Sequence, residues 1–332
     1  MKKLLSSLMA LVLLTGSAFA TTITTPINND TVSGGMGGGG GKPIWIDPEY
    51  PNGGNITYNT EALDLTSYFK NKKSKITKVK CDGKVILNSL GITNSKVVSV
   101  GVQEGDFTFN YDFNNCSFWA GRTVYAQATD VVTDTQAITM AKELLTKSEA
   151  LSYFRDMVGE PMVTYRNNYD AQGIAREGKA YSMSVVFPIK ISGKVVYQTY
   201  GDPVGLTMDV TNKGVNSVNA SVLPFTLLRA DSYKLGFDDL IAFIKKGGNN
   251  PYYPPYVQDA DQSQVKVDVK ALSYENVWVI SYKYPMYGGQ PSIYLTSGIR
   301  VKTDKQLDNG PGTEKRDYYM VISDYKVANN IY

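Results

Sequence analysis

The chain has 332 residues, 20% of them charged, with 34 Lys and Arg against 31 Asp and Glu, two cysteines and no histidine. Without histidine there is no Ser-His-Asp or Cys-His catalysis and no histidine-based zinc site, and two thiols alone fall short of a four-ligand metal centre. Once Lys2 and Lys3 leave with a removable leader, cations and anions nearly balance, so no long-range field draws the chain to nucleic acid.

The leader is the first element. Lys2 and Lys3 are followed by an apolar run over 4–14 that is short for a membrane span, and Ala18-Phe19-Ala20 ends it as a small-x-small cleavage site. Residues 1–20 are therefore expected to be a signal peptide. The mature chain then begins at Thr21, carries no transmembrane segment and resides in the periplasm, on the cell surface or outside the cell. Residues 21–60 are rich in Thr, Asn and Gly and are expected to be a flexible leader. A phosphate-binding loop is excluded there, because Met36 stands where its first glycine is needed and Pro43 where it needs Ser or Thr.

Residues 61–130 are predicted to form a strand-rich module, with strands over 76–79, 84–87, 97–102, 106–113 and 122–128. Phe107, Phe109, Tyr111 and Phe113 alternate strictly, as on one face of a half-buried sheet. The lysines over 70–80 read as a solvated loop or a protected edge strand. Cys81 and Cys116 are expected to be disulfide-bonded, since export favours the bond, and closing that loop contributes roughly 3 to 4 kcal/mol by chain entropy.

At Thr133 the period changes. Thr133-Asp134-Thr135-Gln136 is a capping box, and Ala137, Met140, Ala141, Leu144 and Leu145 follow at helical spacing. Strands are then predicted over 180–191, 194–200, 205–211 and 215–223. A second helix carries Phe237, Leu240, Ile241 and Ile244 on one face, has Asp238 and Asp239 in its first turn and ends at Gly247. Strands over 265–274, 277–284, 292–302 and 318–327 follow it. The fold class read from this order is α+β, a strand-rich N-terminal module followed by two helix-plus-antiparallel-meander units over 131–235 and 236–332.

The run Asp134-Thr135-Gln136-Ala137-Ile138-Thr139-Met140-Ala141-Lys142 resembles the opening helix of PepSY-type domains. The segments 185–197 and 205–210 are similar to strands of exported PepSY-like and YycI-like regulatory proteins, and 232–248 with 269–284 look like a further repeat. The resemblance covers about 130–302. It implies a non-enzymatic extracytoplasmic module that binds a peptide, a protease or another envelope protein, with no catalytic residue and no cofactor to carry over. A cleavage site stands where the YycI type would retain a membrane helix, which argues against docking to a sensor inside the membrane.

Carboxylate pairs remain as candidates for an alternative, a carboxylate-dependent enzyme on cell-wall polymer or polysaccharide. Glu104 with Asp106, Asp238 with Asp239, and Asp259 with Asp261 are the nearest pairs, though each has a local structural explanation. A structural envelope protein is a third reading. The loop Pro251-Tyr252-Tyr253-Pro254-Pro255-Tyr256 is the most unusual local sequence: prolines pre-extend it, and tyrosines lose little entropy on contact. Tyr252, Tyr253 and Tyr256 are accordingly the candidate binding residues, with packing against the second sheet as the alternative role.

Overall fold

The computed structural model describes residues 22–24, 55–70, 74–81, 83–94, 97–114, 116–220, 225–249, 252, 266–283, 292–307 and 314–328. The expected signal peptide and most of the leader lie outside them. Of residues 21–60, the described parts include two strands, β1 (Thr22–Thr24) and β2 (Asn55–Asn59). Next come α1 (Thr66–Lys70), β3 (Ser74–Cys81), α2 (Gly83–Ser89), β4 (Ser99–Glu104), β5 (Phe107–Asp112) and β6 (Ser117–Arg122). The middle of the chain forms α3 (Asp134–Lys147), a 3-10 turn (Ser152–Phe154), β7 (Met162–Asn167), β8 (Ser182–Pro188), β9 (Lys190–Ile191), β10 (Lys194–Gln198), β11 (Gly205–Thr211) and β12 (Gly214–Ala220). The last part forms β13 (Phe225–Tyr233), α4 (Phe237–Lys245), β14 (Lys266–Lys283), β15 (Ser292–Leu307), β16 (Arg316–Ser323) and α5 (Asp324–Ala328).

These strands build two large sheets, and the expected helix-plus-meander units do not form. The first sheet runs β1-β4-β5-β6-β12-β11-β8-β7, every neighbouring pair antiparallel. The second runs β13-β3-β15-β14-β10-β9, with β16 also on β15 and β2 also on β14. Each sheet therefore mixes strands from before and after α3. The strands after α3 continue the sheet that β4, β5 and β6 begin, through the β6–β12 pairing of Phe118 with Ala220 and Trp119 with Asn219. Meanwhile β10 leaves that sheet and pairs in parallel with β14, Val196 beside Trp278. Alternation in a sequence tells which face of a strand is buried; it does not tell which strand lies beside it, and sequential order misassigned the partners.

The second sheet is organised by two long strands. β14 pairs with β15 from Ala271 opposite Thr303 to Lys283 opposite Ser292, and each changes its outer partner along its length. β14 has β2 beside residues 266–270 and β10 beside 278–280, whereas β15 has β3 beside 293–296 and β16 beside 298–307. At Gly298, where β15 exchanges partners, a Cβ would fall 2.2 Å from the Ile322 carbonyl oxygen and 2.6 Å from Val279 Cγ2. Only glycine lets β16 approach that closely.

One core lies between the inner face of the first sheet, α2, α3 and the near half of the second sheet. It contains Ile86, Phe109, Tyr111, Phe118, Ala137, Ala141, Val185, Leu206, Met208, Ile280 and Leu295. α3 starts as the sequence predicts: Thr133 Oγ1 accepts from the Gln136 backbone N–H at 3.3 Å, and Gln136 Oε1 accepts from the Thr133 N–H at 2.9 Å. Its buried stripe Ala137, Ala141, Leu145 is small where it meets the sheet, which lets the helix lie close. A second core, with Tyr58, Leu65, Leu240, Phe243, Ile244, Val269, Ile299, Tyr318 and Ile322, fills the space between α1, α4, α5 and the far half of the second sheet. Gly247 ends α4 at φ +88°, and any Cβ there would meet the Tyr58 ring at 2.6 Å.

Four local expectations are also corrected. Residues 84–87 are helical within α2, with Ile86 and Leu87 buried; a short apolar run carries no clear period of its own. The strand expected over 122–128 is irregular beyond Arg122, because the Asn216 side chain takes both backbone groups of Ala126, at 2.7 and 3.1 Å, in place of a ladder. The break expected near Glu275 is absent: β14 runs through it, and Glu275 pairs with Arg300 at 2.7 Å. β3 is an interior strand between β13 and β15; its exposed Lys78 and Lys80 share one face, and Lys75 lies on the other.

Candidate functional site

The open surface of the molecule with the most distinctive chemistry is the outer face of the first sheet. Alternation sends Phe107, Phe109 and Tyr111 of β5, Phe118 and Ala120 of β6, Val218 and Ala220 of β12, and Leu206 and Met208 of β11 into the core. The opposite phase of the same four strands faces outward and is made of Thr108, Asn110, Ser117, Trp119, Gly121, Ser217, Asn219, Thr207 and Asp209, with Asp112 at one end.

Among those residues Trp119 is the one large ring, and it is 53% exposed. A Cβ placed on Gly121, the next outward residue of β6, would lie 2.9 Å from Trp119 Cζ2 and 3.1 Å from Cη2. The benzo edge of the indole therefore reaches along the strand over Gly121, and the ring stays half open to solvent. Asn110 of β5 and Asn219 of β12 stand directly opposite Trp119 in the two ladders, so an amide flanks the ring on each side. In the next row Gly121 is opposite Ser217, and Ser217 is opposite Asp209. The Asp209 carboxyl is half-buried, and burial holds its pKa above the ordinary carboxylate range. Tyr125, 62% exposed, lies near enough that its phenol pKa is raised first by its own burial and then by the Asp209 charge.

A cavity of about 660 Å³ opens elsewhere, at the end of β13, lined by Tyr68, Phe69, Ser74, Ser232, Tyr233 and Lys234. Beside it the Asp324 carboxylate is fully buried and accepts from Tyr68 Oη at 2.5 Å and Ser74 Oγ at 3.2 Å. These bonds tie α5 to α1 and β3, a structural task.

The residues singled out from the sequence are placed as follows. Cys81 and Cys116 are disulfide-bonded with Cα atoms 5.7 Å apart. Cys81 ends β3 of the second sheet and Cys116 sits in the turn between β5 and β6 of the first, so the bond links the two sheets. Tyr252 is 6% exposed: its backbone N–H donates to Tyr58 Oη at 2.7 Å, its hydroxyl donates to the Gln306 carbonyl at 3.2 Å, and its ring packs on Tyr318 at 5.2 Å. That ring is core. Tyr253, Tyr256, Asp259 and Asp261 lie outside the described residues. Glu104 accepts from Ser148 Oγ and the backbone N–H groups of Glu149 and Ala150 at 3.0 to 3.2 Å, which anchors the end of α3. Asp106 faces solvent near Arg122, and Asp238 and Asp239 occupy the first turn of α4. Trp119 is the residue that sequence reading passed over. Its signal was present in Ser117-Phe118-Trp119-Ala120-Gly121, where the largest ring falls out of phase with the apolar face.

Among the described residues no group of His, Cys, Asp and Glu could hold a metal ion, and no helix is long and apolar enough to cross a membrane, which says nothing of strands. No protein-family model and no curated protein matches the chain. Among solved structures, the chain is similar to an uncharacterized protein from Eubacterium rectale ATCC 33656, with 13% identity and a TM-score of 0.34 over 82% of this chain and 89% of that one.

Proposed function

We propose that the chain is an exported, non-enzymatic binding protein of the bacterial cell envelope, and that it makes its contacts through the outer face of the first sheet. Export is supported by the leader ending at Ala20 and by the Cys81–Cys116 bond, since disulfides persist in oxidising compartments. Binding is supported above all by Trp119: a ring half open to solvent in the middle of a sheet, with its edge over Gly121, adds nothing to the core beneath it.

The carboxylates argue against hydrolysis. Asp112 and Asp209 on this face are three strand spacings and four residues apart, roughly 20 Å at ~4.8 Å per strand and ~3.4 Å per residue. A glycosidase pair needs about 5 to 10 Å. Glu104 is committed to the chain's own backbone, and the sequence holds no histidine to act as a general base.

Cosedimentation of the purified protein with insoluble envelope material tests the reading. The wild type is expected in the pellet and Trp119→Ala in the supernatant, with equal melting temperatures. Equal pelleting of both proteins would contradict it.

A further inference from the structure

Resting on the reading of this face as the binding surface, we infer that its ligand is a neutral polysaccharide whose sugar rings stack on Trp119 between Asn110 and Asn219. Three features of the face select that chemistry. The first is the attitude of the ring. With its benzo edge over Gly121 and half of its surface open, the indole offers aromatic surface whose negative π potential attracts the polarised C–H groups of a pyranose.

The second feature is what surrounds the ring. The cross-strand neighbours are amides and hydroxyls: Asn110 and Asn219 in its own row, Thr108 and Ser217 in the row of Gly121, Thr207 beyond Asn219. Amides carry donors and an acceptor, and hydroxyls do both, which matches a sugar's ring of hydroxyls; the Asp209 carboxylate adds a strong acceptor. Protein-binding patches have an apolar centre and a polar rim, and here the cross-strand neighbours of the central ring are polar. The third feature is charge. The outward rows of β4, β5, β6, β12 and β11 contain no Lys or Arg and include Asp112 and Asp209, so an anionic polymer or an anionic lipid surface is repelled, and a neutral chain is not.

Affinity gel electrophoresis tests this with named probes: hydroxyethylcellulose, a soluble mixed-linkage β-glucan, glycol chitin and galactomannan as neutral or near-neutral chains, polygalacturonate as the anionic control, and phosphatidylglycerol vesicles by flotation. The wild type should be retarded by at least one neutral chain and by neither anionic probe. Trp119→Ala should weaken that retardation by about tenfold or more, the scale of losing one central aromatic contact. Asn219→Ala should weaken it by a smaller factor, and it keeps the test decisive should Trp119→Ala fold poorly. Gly121→Val, which props the ring up, should weaken it with Trp119 intact.

Absence of retardation by every neutral chain, retardation unchanged in Trp119→Ala and Asn219→Ala, or preference for polygalacturonate or vesicles would overturn the inference. If the envelope cosedimentation still depends on Trp119 while no neutral chain binds, the ligand class falls and the binding face stands; if cosedimentation is indifferent to Trp119, both fall.

Discussion

Cys81 and Cys116 join the two sheets: the first closes β3 in the second sheet, the second turns the chain from β5 into β6 in the first, and their Cα atoms are 5.7 Å apart. The sulfur bridge reinforces an interface that Val79, Leu295 and Ile293 of one sheet share with Phe109 and Phe118 of the other within one core. Closing a loop across a sequence separation of 35 removes chain entropy worth about 3 to 4 kcal/mol. Reduction, or Cys81→Ala with Cys116→Ala, is thus expected to lower the denaturation free energy by about that amount. Equal denaturant midpoints with and without reductant would show that the cores hold the sheets unaided.

Asp324 gives the second prediction. Its buried carboxylate accepts from Tyr68 and Ser74, so Asp324→Ala removes the acceptor of two hydroxyls at the junction of α1, β3 and α5. A loss of about 2 to 4 kcal/mol is expected, against about 1 to 2 for Tyr68→Phe, which leaves the carboxylate its other partner. Urea denaturation measures both, and a variant as stable as the wild type would refute the assignment.

Tyr252 gives the third. Its ring packs on Tyr318 and its hydroxyl is bonded to the Gln306 carbonyl, so Tyr252→Ala is expected to cost about 3 to 5 kcal/mol, like other deletions of a buried aromatic. An unchanged melting temperature would return Tyr252 to the surface role its proline-flanked sequence evokes.

Asp209 gives a pH-dependent prediction. Burial raises its folded pKa above the unfolded value, so the folded state holds the proton more tightly. Its contribution is fully present below about pH 4, the unfolded carboxylate range, and is lost as pH rises through the raised folded value. Asp209→Asn, which cannot ionise, should therefore be more stable than the wild type at neutral pH, with the difference vanishing in acid. Melting curves of both proteins between acid and neutral pH check the sign; a variant less stable at neutral pH would reverse it.

The sequence made local features legible and left distant ones hidden. The capping box at Thr133 and Gln136, the buried stripe of α3 and the glycine that ends α4 were all readable, because each depends on residues within a few positions. The alternation of Phe107, Phe109 and Tyr111 likewise showed a strand and its buried face. What it could not show was that β3 would cross to the second sheet or that β12 would lie beside β6, since strand partners are chosen by packing between segments far apart in the chain. The Val and Tyr of 122–126 favour a strand, and the Asn216 amide, 90 residues away from Ala126, prevents it. Trp119 stayed hidden for a related reason. Its exposure depends on β6 being placed correctly, and the close approach of its ring to the strand depends on the missing side chain of Gly121.

The binding face is tested most directly by hydroxyl-radical footprinting of the protein free and bound to envelope material. Trp119 and Tyr125, both more than half exposed, should be oxidised in the free protein. Trp278, whose indole N–H donates to the Ile191 carbonyl at 3.1 Å, should be oxidised more slowly and serve as the internal reference. Bound protein is expected to show strong protection at Trp119, with the Trp278 rate unchanged. Oxidation of Trp119 at the same rate in the bound and free states would contradict the account.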